Sequence, residues 1–407
     1  MESLFDSGVC SKCKGRGWCG KPCKILAKFI EFMPKTKTHF SGSSPPEIFV
    51  GRYGYPKVFT GILSPQQHGD TESLASPELW YKEKATIEQI LSYRGKMIYG
   101  RFQSSIKSAS GQLTEIMKEI SMANKSISTE FFLKKAPRQR FETDKSYPII
   151  GNPAPLIKAR LEENPKIEKK VDYLVSDTDV KSVQAIQELH KSGIQVSHIS
   201  KILSAGLLGL GFRRKLVPTR WSITATDDTI SKILLNKIRF YPEISEILLF
   251  HGNYVGNHYE ILLLPDKFSF EVIEAYFSGS VWNPLSQKIS LAQDYEGFAP
   301  RKKYASNVTG AYYTARLALT EHLEKIKKQG SCFIMREERP EYNAPCGVGI
   351  LRELCRDIFT KKPETFSTIK EALNKSQERL KLPISTFTNK SWLLKNYKKQ
   401  TRLNKFF

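Results

Sequence analysis

An α+β fold, with a mixed core of several helices and short strands, is what this sequence predicts. Residues 309–328 carry the helical period, with Ala311, Thr314, Ala315, Ala318, Leu319, His322 and Leu323 on one face. Residues 244–251 and 258–264 read as a β-hairpin about Gly252 to Asn257. The 407 residues, 40% hydrophobic and 11% aromatic, suffice for a buried core and exceed what one core usually holds.

Taken in order, residues 1–33 read as a cysteine-rich knuckle and a short helix. That helix has its stripe at Ile25, Leu26, Phe29 and Ile30, and Pro34 ends it. Residues 34–380 form the mixed core, with any division into two subdomains expected within 150–215. Residues 48–63 read as two strands around a Gly/Pro turn. Arg52, Tyr53, Tyr55 and Lys57 in that turn suit a phosphate and a stacked base, and equally a plain hairpin with surface aromatics. Ser76 caps and Pro77 opens a helix over 77–93. Leu113, Ile116, Met117, Ile120 and Ile127 place a helix within 111–135. Helices follow at 153–161, 177–192 and 197–212, with a strand at 171–175. Residues 220–224 read as a strand, with Asp227 or Asp228 capping a helix that runs to Phe240. Strands are expected at 268–277 and 331–335, and helices at 347–359 and 365–380.

Lysine and arginine outnumber acids to give a net charge of +22, an excess that attracts phosphate polyanions through counterion release. Nucleic acid, and DNA in particular, is the partner this favours over a merely solvated basic surface or an acidic protein. The longest apolar runs, 247–250 and 261–264, fall far short of the ~20 residues of a membrane span. Residues 1–9 lack the apolar core of a signal peptide. The expected setting is therefore intracellular and reducing, in the cytoplasm or at the nucleoid. There the seven cysteines are ligands or free thiols rather than disulfides.

Four of them crowd together: Cys10, Cys13, Cys19 and Cys23. Two short pairs around a glycine-bearing loop can wrap four thiolates about one tetrahedral Zn²⁺. Lys12, Lys14, Arg16, Lys21 and Lys24 would offset its negative charge. With no open position the site is structural. An iron–sulfur cluster is the competing reading, since four cysteines also hold one.

After Glu378 the chain has no acid, while Arg379, Lys381, Lys390, Lys395, Lys398, Lys399, Arg402 and Lys405 follow, so 381–407 reads as a flexible basic tail. It ends on apolar groups. Leu403, Phe406 and Phe407 stand at i, i+3 and i+4, with Gln400 one turn earlier. One helical turn brings them to one face, the pattern of a short segment that folds into a partner's groove. The octet resembles the box by which replication and repair proteins dock on the sliding clamp PCNA, with every slot filled.

The middle of the chain carries no Walker loop, no Gly-x-Ser-x-Gly elbow and no His-Glu-x-x-His. It does carry a polar set: Arg220, Thr224, Asp227, Asp228, His251, Asn253, His258, Glu260, Arg336, Glu337 and Glu353. Carboxylates with histidine suit a divalent metal and phosphodiester hydrolysis, and Arg220 and Arg336 suit a phosphate. The plainer readings are a helix cap for Asp227 or Asp228 and a buried ion pair for Arg336 and Glu353.

The two termini, with 218-Pro-Thr-Arg-Trp-Ser-Ile-Thr-Ala-Thr-Asp-Asp, 259-Tyr-Glu-Ile-Leu-Leu-Leu-Pro, 310-Gly-Ala-Tyr-Tyr-Thr-Ala-Arg-Leu-Ala, Arg336-Glu and Arg352-Glu, resemble the archaeal Nre family of DNA-repair proteins. The resemblance covers nearly the whole chain. It implies a repair role tied to the clamp, with other repair proteins as further partners, and no settled activity. Two other classes stay open: a nuclease or nucleotide-processing hydrolase centred near Arg220 and Asp228, and a pure adaptor.

Overall fold

The computed structural model describes residues 29, 31–35, 38–107, 110–138, 144–284 and 286–399. The four knuckle cysteines and the terminal octet lie outside them. The chain divides into two compact units, each built on one six-stranded sheet. The division falls between Ile230 and Ser231, with residues 344–350 returning to the first unit, so it lies beyond the 150–215 interval expected from sequence.

The N-terminal sheet uses β1 (His39–Ser44), β2 (Ile48–Val50), β3 (Lys57–Ser64), β4 (Ile98–Ser105), β5 (Ile127–Leu133) and β6 (Asn152–Leu161) in the order β1-β5-β6-β4-β3-β2. Only β4 and β6 pair in parallel. Residues 153–161 were expected as helix. Pro153 and Pro155 overturn that, because a residue before proline avoids the α region and a second interior proline breaks a helix. Ile127 likewise leaves the helix for β5, whose side chains alternate strictly between buried and half-buried.

The single helix expected over 77–93 is split into α1 (Pro77–Lys82) and α2 (Ile87–Gly95) by Lys84 at positive φ and the Thr86 cap, and Ser76 accepts from the Leu79 amide at the start of α1. Then come α3 (Gln112–Met122), α4 (Lys169–Ser176), α5 (Ser182–Lys191) and α6 (Val196–Ser204). The stretch expected as a strand at 171–175 lies in α4, with Val171 and Leu174 buried at helical spacing. One face of the sheet is covered by α3, against β3 and β6, and by α6 against β2.

Helix α7 (Thr219–Ile238) absorbs residues 220–224, which sequence placed in a strand. Its hydroxyls explain why Thr- and Ser-rich sequence stays helical. Ser222 Oγ donates to the Thr219 carbonyl, Thr224 Oγ1 to Arg220 and Thr226 Oγ1 to Ser222. Asp227 and Asp228 sit inside this helix, so neither is its N-cap.

The C-terminal sheet uses β7 (Ile247–Tyr254), β8 (Asn257–Leu264), β9 (Ser269–Tyr276), β10 (Ser290–Glu296), β11 (Ser331–Glu338) and β12 (Glu364–Phe366), in the order β10-β9-β11-β8-β7-β12. The hairpin turns on Val255 and Gly256 alone, both at positive φ (41° and 81°), as a primed two-residue turn requires. Helices α8 (Gly310–Ile326) and α9 (Gly349–Thr360) cover one face. There Phe270 meets Tyr312 edge-on, Phe250 meets Phe359, and Gly252 leaves no room for a Cβ beside Ile358. Helices α10 (Ile369–Gln377), α11 (Ser385–Thr388) and α12 (Trp392–Asn396) cover the other. Phe387 and Leu393 join Leu249, Leu262, Phe333 and Met335 in its core. Residues 381–399, read from sequence as a flexible tail, are thus packed structure. Their basic side chains alternate with apolar ones that the sheet buries, and the charge count concealed this. Glu271 fastens the last helix. It accepts from Ser391 Oγ, from the Trp392 amide at 2.8 Å and from the Leu393 amide at 3.0 Å, while Gln293 Nε2 donates to it at 2.6 Å.

Candidate functional site

The three central strands β8, β9 and β11 of the C-terminal sheet are buried along their whole length. Charge in such strands has no water to solvate it and must be paired. Register decides which groups meet. Asn257, Tyr259, Glu274, Tyr276, Arg336 and Glu338 share one face, and His258, Glu260 and Glu337 the other.

On the first face Arg336 is the hub. Its guanidinium pairs with Glu274, donates to Glu338 Oε2 at 3.1 Å and Asn257 Oδ1 at 3.2 Å, and lies 5.7 Å from the Tyr259 ring centre. Burial alone would lower its pKa, but Glu274, Tyr259 and Glu338 outweigh that and hold the charge firmly. Tyr276 donates to Glu274 Oε2. Burial pushes the Tyr259 and Tyr276 hydroxyls well above the usual range, and the neighbouring Cys355 thiol up to about 12.

On the second face Arg379, from the segment after α10, grips Glu260 with two parallel hydrogen bonds of 2.9 Å and reaches Glu364 at 2.7 Å. His258 Nε2 lies 2.9 Å from the same Glu260 Oε1. Burial, then Arg379, lowers the pKa of His251. Glu337 accepts from Arg339 Nη2 at 2.6 Å and from the Lys381 and Leu382 amides at 3.1 and 2.8 Å.

The sequence candidates therefore do not form one constellation. His258, Glu260 and Glu337 face away from Arg336. Glu353, on α9, pairs with Arg356 at 2.9 Å, and Arg356 with Glu321, so the expected Arg336–Glu353 pair is replaced by Arg336 with Glu274 and Glu338. Arg220, Thr224, Asp227 and Asp228 belong to the other unit. There Arg220 donates to Asp144 at 2.9 Å, a carboxylate that Arg52 also approaches at 3.7 Å. Thr224 spends its hydroxyl on the backbone of its own helix. Among the described residues, no three His, Cys, Asp or Glu side chains come together in a group that could hold a metal ion. Of the carboxylates offered for that purpose, Glu260, Glu337 and Glu353 are taken up by arginines and amides. Chemically, the arrangement clips strands and the segment after α10 to one another.

Sequence reasoning missed Glu271, Glu274, Glu338, Asn257, Arg379 and Asp144. A signal existed for the first two. Ser-Phe-Glu-Val-Ile-Glu-Ala-Tyr is a strand with two acids among buried positions, and a buried acid needs a partner.

Residues 18–283 match the family model described as archaeal Nre, N-terminal, and residues 296–406 the model described as archaeal Nre, C-terminal. The chain belongs to the archaeal Nre family. It is 35% identical to the DNA repair protein NreB of Archaeoglobus fulgidus over 392 residues, 96% of this chain and 98% of that protein. It is also 35% identical to the DNA repair protein NreA of the same organism over 404 residues, 98% of each chain. The DNA repair protein NreA of Haloferax volcanii is 32% identical over 359 residues, 86% of this chain and 85% of that one. No solved structure matches. The N-terminal family model runs to residue 283, through β7, β8 and β9, and so crosses the division between the two units. Among the described residues no helix is long and apolar enough to cross a membrane.

Proposed function

We propose that this chain is a DNA-repair protein brought to its site of action by the PCNA sliding clamp, through Gln400, Leu403, Phe406 and Phe407. The observation that carries the repair role is the match, along nearly the whole length, to relatives that are themselves named DNA repair proteins. The clamp reading adds the complete Gln-x-x-Leu-x-x-Phe-Phe pattern. Clamp docking converts DNA binding by the rest of the chain into an event at high effective concentration. Within this reading Cys10, Cys13, Cys19 and Cys23 hold one structural Zn²⁺, which orders the segment around them.

The test compares the full chain with its Phe406→Ala/Phe407→Ala variant by calorimetric titration against PCNA of the source organism. Saturable binding by the parent and none by the variant, at equal melting temperature, is the expected result. Equal binding by both removes the clamp from the reading. Zinc is checked by metal analysis of the parent and a Cys10→Ser/Cys13→Ser variant, with about one equivalent in the first and none in the second.

A further inference from the structure

We propose that the open half of the N-terminal sheet is a platform for single-stranded DNA, with Phe59 and Phe132 as base-stacking rings and Arg101, Lys57 and Lys158 as phosphate contacts. This deepens the repair reading and takes the identity of the strand as DNA from it.

Helices α3 and α6 cover only one face of this sheet. On the other face, register aligns Phe59 with Gln103, Gly61 with Arg101, Arg101 with Pro155, and Lys158 with Phe132. At one end of it Phe49, Tyr99 and Tyr147 pack into a small core. Among the described residues that cover stops beyond Arg101. Phe59 is 43% exposed, and Ile157, at a register shift between β5 and β6, is 62% exposed. Packing gives no reason to keep a phenylalanine of β3 and an isoleucine of β6, the two strands that flank β4, in water, so the patch points to a ligand with flat apolar surface.

The charges identify that ligand. The Arg101 guanidinium lies over the Phe59 ring, 4.5 Å from its centre; Arg160 is 6.0 Å from that of Phe132, which also stacks on His39 at 4.6 Å, and both Arg160 and His39 pair with Glu130. Lys57, Arg101 and Lys158 have no ion-pair partner among the described residues, and the same holds for Lys134, Lys135 and Arg138 on the strand-like run beside β6. The Lys134 and Arg138 amides donate to the Pro155 and Pro153 carbonyls, which fixes that run against the platform. The buried Arg336 of the C-terminal sheet is paired; these cations are left for water or a polyanion. Rings interleaved with unpaired cations on an open sheet recognise bases and phosphates together. Base pairs in a duplex hide their faces, so stacking selects a single strand. Phe59 and Phe132 stand three strands apart, roughly 14 Å from strand spacing, which suits bases of one strand that crosses the sheet.

Tyr53 and Tyr55, 63% and 54% exposed in the turn before β3, extend the platform at its edge.

The experiment uses the full chain and a fluorescent oligothymidylate of about 12 nucleotides, within the ~4–16 nucleotides typical of such sheet-face sites. Fluorescence anisotropy is followed at several salt concentrations, with a duplex and an oligouridylate as competitors. The parent should bind the single strand, and the duplex and the RNA should compete worse. Phe59→Ala should weaken binding about tenfold with little change in salt slope, as loss of a stacked base does. A Lys57→Gln/Lys158→Gln pair should instead flatten the slope by about 1.4, two phosphates' share. All three positions are surface groups, and equal melting temperatures confirm that the variants fold. Duplex or RNA preferred over the DNA strand overturns the proposal, and so does parent-like binding by Phe59→Ala. Clamp binding by the same samples stands apart from these results: if it persists while the platform variants change nothing, only the platform falls.

Discussion

Two six-stranded sheets in one chain treat charge in opposite ways. In the C-terminal sheet both faces are covered, and the buried Arg336 and the glutamates of β8, β9 and β11 all have partners. In the N-terminal sheet, among the described residues, half of one face is open; there Arg160 and His39 share Glu130, while Lys57, Arg101 and Lys158 have no ion-pair partner. Covered charge must be matched by the protein itself, because a lone buried ion costs several kcal/mol. Open charge costs the fold little and remains available to a partner. The comparison teaches where to look for function in a chain without a recognisable active site. The densest polar cluster is architecture, and the sparser unpaired one is the surface with chemistry to spare.

The comparison breaks most readily at Arg336. Arg336→Ala leaves Glu274 and Glu338 buried without their cation and should cost about 3–5 kcal/mol, read as a fall in the urea midpoint. Arg101→Ala on the open face should stay within about 0.5 kcal/mol in the same assay. Equal losses at the two positions would erase the distinction between the sheets. Phe387→Ala should cost a similar ~3–5 kcal/mol, since this ring is fully buried in the segment whose sequence suggested a tail. An unchanged midpoint there would mean that residues 381–399 add nothing to the core.

Arg379→Ala comes next. It removes two hydrogen bonds from Glu260, but Arg379 is partly exposed, so water makes up some of the loss and about 2 kcal/mol is expected. Acid acts on both units at once. Burial, with Lys201 adding to it, lowers His198 to about 4, and burial with Lys325 lowers His322 to about 4. Each is neutral in the fold, while its unfolded counterpart gains a proton below about 6.5. Stability is therefore whole above pH 6.5, declines by up to about 1.4 kcal/mol per pH unit for each histidine, and levels off below pH 4. Melting curves of the parent and His322→Gln across that window test this, and the variant should decline less steeply. The smallest effect is expected for Lys57→Gln, under about 0.5 kcal/mol by the same melting assay.

Much of the C-terminal sheet was legible in the sequence. Its hairpin, β9, the start of β11 and α8 carry clean periods, and the paired runs around Gly256 fix the register. The N-terminal sheet was harder. β6 mixes prolines with apolar residues and mimics a helix stripe until the pre-proline restriction is applied. Helix α7 hid behind its threonines, which favour strands unless their hydroxyls find the carbonyls one turn back. The candidate site was legible only as a list of residues. Whether Arg336 meets Glu353 or Glu274 depends on strand order, and β11 lies between β8 and β9, which are consecutive in sequence. Exposure was least legible of all. Phe59 reads as any strand phenylalanine, and only the absence of a covering helix marks it out.

Glu271 has a mechanical consequence. One carboxylate on β9 holds the start of α12 by a hydroxyl and two amides, and Phe387 and Leu393 seat the flanking chain in the sheet. Tension applied beyond residue 399 therefore passes the Tyr397–Pro265 hydrogen bond and the Trp392–Tyr295 stack and then meets Glu271 on an inner strand. Such a pull would have to shear that contact and drag two buried side chains out together before it could unzip the sheet.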